Sequence, residues 1–289
     1  MTRDPHPRPN RPPTRRPPRP AARRLAALAV LLLALTACSS PGGPAPTPVD
    51  GDRAPSPTRW QPRPGTPWQW QLSGTLDRSV DVPVYDIDGF ENGADAVRAL
   101  HTDGRKVICY INAGAWESFR PDADDFPASV RGKGDGWDGE RWLDIRRVDV
   151  LRPLMAARFD MCRKKGFDAV EPDLLEGYAN TTGFPLTARQ QLAYNRMIAG
   201  LAHDRGLAVG LKNDLDQVPA LVADFDFSVD EQCAQYKECE SLTPFIAADK
   251  AVFHAEYKLT TDQFCPVSRK LRLSSIGKHL ALDAWRTAC

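Results

Sequence analysis

Short apolar segments that end in charged or amide side chains recur along this chain, and this recurrence strongly limits the folds available to it. In the segment 167–173, apolar residues lead to two carboxylates, Glu171 and Asp173. Because side chains alternate between the two faces of a strand, these two carboxylates share one face. Carboxylates on one buried face repel each other and lose hydration, so a fold that keeps them needs a use for them.

The other segments of this kind carry polar residues at the same point, close to the end of each predicted strand. These residues are Asp86, Asp88, Tyr110, Asn112, Lys212, Glu231 and Glu256. The predicted strands are 68–72, 82–87, 106–112, 167–173, 207–212, 225–231, 251–256 and 271–274, with helices near 91–103, 150–165, 188–205, 215–223, 241–249 and 277–286. Polar groups at the carboxyl ends of successive parallel strands build the active site of a β/α barrel. We therefore predict an α/β fold, a (β/α)8 TIM barrel in a single domain.

A signal peptide is predicted before the barrel. Residues 1–24 hold eight arginines and one acid, and 13 apolar or small residues follow in 25–37, too few to span a membrane as a helix. The sequence Leu35-Thr36-Ala37-Cys38 resembles the lipobox of bacterial lipoproteins, which predicts cleavage after residue 37 and lipidation of Cys38. The alternative is cleavage by an ordinary signal peptidase, in which case Cys38 is incidental. The pair Arg23-Arg24 leaves the twin-arginine export route open.

Residues 38–67 are rich in proline and small polar residues, so they are predicted to be a disordered tether, with the barrel domain at 68–289. Removal of residues 1–37 takes away eight basic and one acidic side chain. The remaining 30 basic and 36 acidic residues give a formal charge of −6. Since there is no basic patch or nucleic-acid motif, we expect no nucleic-acid partner. An acidic surface and an acidic site would tolerate a cationic substrate.

The seven cysteines fit an exported protein. If Cys38 carries lipid, six remain, and they can pair in fifteen ways. Cys109 alternates with Tyr110, which predicts that it faces the helix layer, where Cys162 lies in a predicted helix. The expected pairs are Cys109–Cys162, Cys233–Cys239 and Cys265–Cys289. No CxxC or HExxH motif occurs, so we predict no metal site.

A long connection over 113–149 contains Trp116, Trp137 and Trp142. Long loops on barrels usually serve the active site. The tryptophans either contact a ligand or pack the loop into a small satellite core. His254 is predicted to point into the barrel, either as a satisfied core histidine or as a site residue.

Seven motifs in order carry a resemblance to a known family. They are Trp70-Gln71-Leu72, Tyr85-Asp86-Ile87-Asp88, Cys109-Tyr110-Ile111-Asn112-Ala113-Gly114, Trp142-Leu143-Asp144-Ile145, Gly166-Phe167-Asp168-Ala169-Val170-Glu171-Pro172-Asp173, Lys212-Asn213 and Glu231-Gln232-Cys233. Together they resemble glycoside hydrolase family 114, the endo-α-1,4-polygalactosaminidases. The resemblance implies a (β/α)8 barrel that cleaves α-1,4-linked galactosamine polymers, with catalytic carboxylates at Asp173 and Glu231. Leu174 stands where the family often has an Asn that could form a hydrogen bond near the site. This difference concerns the details of the substrate subsites more than catalysis.

Glycosidic cleavage needs two carboxylates that flank the bond. By the resemblance, Asp173 is predicted to be the nucleophile, and Glu231 the general acid/base. Predicted substrate-binding residues are Asp86, Asp88, Tyr110, Asn112, Glu171, Lys212 and Glu256, although some of the acids can instead pair with Lys212 or cap backbone groups. Lys212 is interpreted as a counter-ion rather than as the Schiff-base nucleophile of an aldolase. No cofactor is predicted.

Two hypotheses from other classes stay open at this point. One is a non-catalytic surface lipoprotein that binds amino-sugar polymers, and the other is a structural surface lipoprotein. For the hydrolase we expect an exported monomer, either lipid-anchored at the outer face of the cell membrane or secreted. Its expected partners are a polysaccharide substrate and the membrane, the latter through the N-terminal lipid anchor only. Retaining or inverting chemistry, endo or exo action and the preferred acetylation state are left open.

Overall fold

Eight parallel strands form the centre of the fold, as the alternation of strands and helices predicts. The structure, a computed structural model, describes residues 59–289; the predicted signal peptide, Cys38 and most of the predicted tether lie outside the described residues. The strands are β1 (Trp68–Gln71), β2 (Val84–Asp88), β3 (Lys106–Asn112), β6 (Ala169–Asp173), β7 (Ala208–Lys212), β8 (Phe227–Glu231), β9 (Val252–Glu256) and β10 (Ser274–Lys278), hydrogen-bonded in that order. They form a nearly closed TIM barrel.

Helices and one hairpin connect these strands. The helices are α1 (Ala94–Thr102), α2 (Val148–Lys165), α3 (Ala188–His203), α4 (Val218–Leu221), α5 (Cys233–Tyr236), α6 (Thr243–Ala247) and α7 (Thr261–Leu271). The long connection after β3 contains two short antiparallel strands, β4 (Ala115–Glu117) and β5 (Glu140–Trp142). We call β4, β5 and the loop between them the hairpin.

Two hydrophobic clusters fill the two sides of the barrel wall. The inner cluster lies within the barrel and is dominated by aromatic residues, including Trp68, Trp70, Phe227 and Phe253. The outer cluster lies between the strands and the helices, and it includes Tyr85 and many aliphatic side chains. This division follows from the alternation of side chains along each strand. It identifies which residues of each strand face the site.

The last predicted strand and helix are wrong. Residues 261–271 are helix α7, which begins with a capping box between Thr260 and Gln263, and residues 274–278 are strand β10. The predicted helix at 277–286 is instead the end of β10, a loop and β11 (Arg286–Ala288), which pairs antiparallel with β10. Two features of the sequence explain this error. Pro266 interrupts the helical pattern of α7, and the β10 sequence at 274–278 has few of the apolar residues that are typical of a strand.

The barrel closes at a seam between β1 and β10. No backbone ladder joins these two strands within residues 59–289. Side chains of β1 bridge the gap instead. Trp68 Nε1 donates to the Ser274 carbonyl at 2.8 Å, and Gln69 Nε2 donates to the Ala284 carbonyl at 2.7 Å. The loop after β10 completes the closure.

Both ends of the described chain lie at the amino-terminal end of the barrel. Residues 59–67, which the sequence analysis placed in the tether, contact the barrel there. The carbonyl of Pro62 accepts from the Ala251 amide, and the Trp60 ring lies 6.1 Å from that of Phe227 at the start of β8. At the other end, the Cys289 amide donates to the carbonyl of Ser275 near the start of β10.

Three disulfides join the predicted cysteine pairs. Cys109 and Cys162 link β3 to α2, Cys233 and Cys239 close a short loop after β8, and Cys265 and Cys289 fasten the C-terminal strand to α7. No helix in residues 59–289 is long and apolar enough to cross a membrane.

Candidate active site

The last inward-facing residues of three adjacent strands meet at the carboxyl end of the barrel. Asp173, Lys212 and Glu231 end β6, β7 and β8. The Lys212 ammonium lies 2.8 Å from Asp173 Oδ1, 3.2 Å from Glu171 Oε1 and 3.3 Å from Glu231 Oε2. Burial alone would lower the pKa of Lys212, but these three carboxylates outweigh burial and raise it well above its usual value. Lys212 is therefore a shared counter-ion of the carboxylates.

Hydrogen bonds hold the Asp173 carboxylate in one orientation. The Tyr110 hydroxyl donates to Oδ2 at 2.8 Å, and the backbone amide of Leu174 donates to Oδ1 at 2.8 Å. Leu174 has a positive φ of 61°, and this turn packs on Gly114, where an added Cβ would meet the Leu174 carbonyl oxygen at 1.8 Å. With two donors and an ammonium, Asp173 is stabilised as an anion.

The Glu231 carboxylate is held by a tyrosine from the neighbouring strand. Tyr257, one residue beyond β9, donates its hydroxyl to Glu231 Oε1. The backbone amide of Glu231 donates to Asn213 Oδ1 at 3.1 Å. Burial and the charge of Glu231 raise the pKa of Tyr257 well above its usual value, so this phenol stays neutral. Sequence reasoning missed Tyr257, although it follows the inward positions Phe253 and Ala255 with a period of two.

Two further acids lie beneath the three end residues. Asp86 and Glu171 are fully buried and lie close enough for their charges to interact. Burial, followed by the charge of Glu171, raises the pKa of Asp86 well above its usual value. The pKa of Glu171 is also raised by burial, although Lys212 opposes the shift. Burial and the charge of Glu171 therefore favour the neutral form of Asp86, and the pair lies beneath Lys212 and Asp173.

Asp88 and Asn112 hold loops of the site in place. Asp88 forms a two-point ion pair with Arg120, at 3.0 and 2.7 Å, and also accepts from the Phe90 amide at 2.8 Å. Asn112 Oδ1 accepts from the Ala115 amide at 2.7 Å, which fixes the turn from β3 into the hairpin. Asp88 also lines the cleft described below.

Glu256 and His254 face the helix layer, so the prediction of an inward-pointing His254 is wrong. The inward residues of β9 are Phe253 and Ala255, and a shift of one residue moves a side chain to the opposite face. Glu256 Oε1 accepts from the amide of Ala234 in α5 at 2.8 Å and lies 3.1 Å from His254 Nε2. Glu256 thus caps a helix and is absent from the residues that line the cleft.

The hairpin adds a carboxylate that sequence reasoning missed. Glu140 on β5 lies directly opposite Glu117 on β4, and Asn112 Nδ2 lies 3.3 Å from Glu140 Oε2. Burial, followed by the charges of Asp135 and Glu117, raises the pKa of Glu140 to about 9. Both acids line the cleft, but Glu117 pairs with Arg120 at 2.9 Å, whereas the raised pKa of Glu140 favours its neutral form.

These residues surround an open cleft of about 380 Å³. Polar groups form its floor, and large apolar side chains form its rim. The rim residues include Phe119 and Trp137 from the hairpin and Leu280 after β10, which are 59%, 38% and 41% exposed. Trp137 is thus the tryptophan of the long connection that lines the cleft, while Trp142 is buried. Exposed aromatic faces above a polar floor are typical of a site for a polar ligand with apolar ring faces.

The site offers carboxylate chemistry rather than a set of metal ligands. Cys233, Cys239 and His254 lie close together among the described residues. The disulfide between the two cysteines, however, removes the thiolates that would bind a metal. Two carboxylates at the mouth of a barrel, below an open cleft, are the arrangement that glycosidases use.

The comparisons with known proteins agree with this class. Residues 50–289 match the model of glycoside hydrolase family GH114, and the chain belongs to this family. The crystal structure of Aspergillus fumigatus Ega3 in complex with galactosamine is similar, with a TM-score of 0.76 and 40% sequence identity over 80% of this chain and 97% of that one. The protein is therefore a glycosidase.

A second solved structure shares the fold at lower identity. The glycoside hydrolase domain of PelA from Pseudomonas aeruginosa has a TM-score of 0.60 and 14% identity, covering 78% of this chain and 98% of that domain. No curated protein sequence matches this chain at a significant level.

Proposed function

We propose that this enzyme hydrolyses α-1,4-linked galactosamine-containing polysaccharide, with Asp173 as nucleophile and Glu231 as general acid/base. The observation that carries this proposal is the contact of both carboxylates with one ammonium, that of Lys212, at the floor of an open cleft. The similarity to Ega3, whose structure contains galactosamine, supports the substrate class.

The surroundings of the two carboxylates support different roles. Asp173 accepts from Tyr110 and Leu174 and is the closer of the two to Lys212, so its charged form is stabilised for attack on the anomeric carbon. Glu231 is farther from Lys212, at 3.3 Å, and meets a neutral phenol that can donate or accept a hydrogen bond. It can therefore hold a proton for the leaving oxygen and later take one from water.

The separation of these groups favours retention of configuration. Because Lys212 Nζ is 2.8 Å from one carboxylate oxygen and 3.3 Å from the other, these two oxygens are at most about 6 Å apart. Retaining glycosidases have carboxyl groups about 5–5.5 Å apart, whereas inverting enzymes need about 6.5–9.5 Å to admit a water molecule. Proton NMR of the first products should show the α-anomer; an initial β-product would contradict retention.

The charge of the cleft suits a polymer that carries free amino groups. Six carboxylic side chains line it, against the cations Lys212 and Arg120. The acids are Asp88, Glu91, Glu117, Glu140, Asp173 and Glu231. Carboxylates bind ammonium groups and sugar hydroxyls through charge-assisted hydrogen bonds. The rings of Phe119 and Trp137 offer apolar faces to the C–H groups of pyranose rings.

The test is release of reducing ends from partially deacetylated α-1,4-galactosaminogalactan by the native protein and its variants. Asp173→Asn and Glu231→Gln should each lower the rate by about 10²–10⁴-fold or more, since each removes a catalytic carboxylate. The double variant should lose little beyond the slower single variant. Glu240→Gln is the matched control, because Glu240 pairs with Lys270 on the surface.

The outcomes separate the proposal from its rivals. Full activity of both folded single variants would contradict the assignment of the two carboxylates. Binding of the polymer without product release by the native protein would favour the non-catalytic amino-sugar binder for this polymer and direct the search to other amino-sugar substrates.

A further inference from the structure

The hairpin separates the acidic cleft from a second cavity. In its two-stranded register, Glu117 lies opposite Glu140, and Trp116 lies opposite Arg141. Since neighbouring residues of a strand point to opposite faces, Glu140 faces the cleft, and Arg141 faces the other side. On that side lies a cavity of about 640 Å³, which we call the outer cavity. Glu140 contributes to the lining of both, so the two cavities meet at this residue.

The outer cavity has a charge opposite to that of the cleft. Apart from Glu140, its lining contains two arginines, one tryptophan, an alanine and two glycines, and no other acid. The guanidinium of Arg131 lies 4.3 Å over the Trp116 ring and is held by a bond from Nε to the Phe126 carbonyl at 3.0 Å. Arg141 is exposed to solvent. The raised pKa of Glu140 leaves the two arginines without an ionised acid in this lining near neutral pH.

These surroundings suit an uncharged sugar with an amide group. A guanidinium repels an ammonium group, and it donates hydrogen bonds to a carbonyl oxygen such as that of an N-acetyl group. An indole beside it offers an apolar surface for an acetyl methyl or a pyranose face. A Cβ added at Gly134 would meet nothing nearer than the Glu140 carbonyl oxygen at 3.7 Å, so the backbone there leaves room for a bulky ring.

We propose that the outer cavity is a saccharide subsite that binds an N-acetylated hexosamine unit of the same polymer whose free-amine units occupy the cleft. This inference rests on the proposed function and extends it. Strand β5 then lies between the two kinds of unit, because Glu140 faces the acidic cleft that holds the amines and Arg141 faces the cavity that holds the acetamide. The enzyme accordingly prefers chains in which acetylated and deacetylated units occur near one another.

The test is the ratio of kcat/KM on a partially N-acetylated polymer to kcat/KM on a fully deacetylated polymer of the same length. Arg141→Glu should lower this ratio about tenfold, since a charge that repelled ammonium now attracts it. Glu140→Gln should leave the ratio nearly unchanged, because the raised pKa of Glu140 already keeps this carboxyl neutral near pH 7. Arg163→Glu is the matched control: it makes the same charge change on an exposed residue in the last turn of α2, at the opposite end of the barrel, and should leave the ratio unchanged.

Binding measurements keep this proposal separate from the proposed function. Calorimetric affinities of the native protein and of Arg141→Glu are compared for N-acetylated and deacetylated oligosaccharides. Loss of preference for the acetylated ligand in Arg141→Glu supports the subsite even if no polymer is hydrolysed. Equal ratios of kcat/KM in the native protein and Arg141→Glu, or equal relative affinities, would overturn it while leaving the hydrolase assignment intact.

Discussion

The two halves of the barrel interior have opposite chemistry, although the same strands build both. At the amino-terminal half, Trp68, Phe227 and Phe253 pack ring against ring, with centroids 5.0 Å apart for Trp68–Phe253 and 5.6 Å apart for Phe227–Phe253. Four residues farther along β8 than Phe227, Glu231 belongs to a cluster of carboxylates around one buried ammonium. The first half gains free energy from burial of apolar surface, whereas the second retains charges that burial disfavours.

Under the proposed function, the apolar half stabilises the fold while the charged half performs the chemistry. A buried ion cluster contributes little net stability, because the loss of hydration offsets the attraction. The aromatic half must therefore hold the strands in register, so that their ends place the charges. Substitutions in the two halves should have effects of different kinds.

The largest effect is expected for Lys212→Met in the charged half. It leaves three carboxylates without their cation, so stability at neutral pH should fall by about 3–5 kcal/mol and hydrolysis should be largely lost. Without the ammonium the pKa values of these carboxylates rise, so the loss of stability should increase as pH rises and shrink in acid. Urea denaturation at several pH values measures this, and Lys164→Met on the exposed face of α2 is the control. A loss independent of pH would argue against the shared counter-ion.

Phe227→Ala in the aromatic half should affect stability alone. It creates a cavity between Trp60 and Phe253, which should cost about 3–5 kcal/mol in the free energy of unfolding. The kcat of the folded fraction should stay unchanged, since Phe227 lies at the opposite end of β8 from Glu231. Phe119→Ala on the exposed rim should show the reverse, with little change in stability and weaker substrate binding. A large fall in kcat for Phe227→Ala would show that the two halves are coupled.

A smaller, pH-dependent gain of stability is expected for Asp86→Asn. The folded pKa of Asp86 is raised above its unfolded value of about 3.9, so its contribution is fully present below pH ~4 and is lost as pH rises through the folded pKa. An amide stays uncharged at every pH and therefore removes this loss. Asp86→Asn should be more stable than the native protein at pH 8, by about 1 kcal/mol or more, since one pKa unit corresponds to ~1.4 kcal/mol. Parallel stability–pH curves for the two proteins would count against the raised pKa of Asp86.

The smallest effect is expected for Glu256→Gln, which tests whether Glu256 belongs to the charged half of the barrel. The amide still accepts from the backbone of α5, but the bonds lose their charge assistance, at a cost of about 1 kcal/mol in stability. The values of kcat and KM should not change, because Glu256 faces the helix layer. A raised KM would place Glu256 in contact with the substrate.

Much of the barrel could be predicted from the sequence, because strand and helix periods are local signals. The positions of Asp173, Lys212 and Glu231 at the strand ends follow from those signals. The side chain of Glu256 was assigned to the wrong face, since one residue of phase decides the direction in which a strand residue points. The same phase, counted from Phe253, places Tyr257 in the cleft.

The contribution of the hairpin could not be predicted in this way. Glu140 follows a glycine-rich loop with no period, so nothing local indicates that it pairs with Glu117. The pKa of Glu140 and its hydrogen bonding depend on Asp135 and Asn112. These residues come close to Glu140 only when the connection between β3 and α2 is folded. The last strand was misplaced for a related reason, because β10 is held by its neighbours rather than by its own apolar content.

The position of the chain ends affects how the enzyme can be attached to a surface. Arg59 lies 3.9 Å from Asp226, just before β8, and the Cys289 carbonyl accepts from Arg269 at the end of α7. Residues 59 and 289 therefore both lie on the face opposite the cleft. A surface coupled directly at either residue would face away from the mouth of the barrel, so that a long, insoluble polymer could reach the cleft without passing the point of attachment.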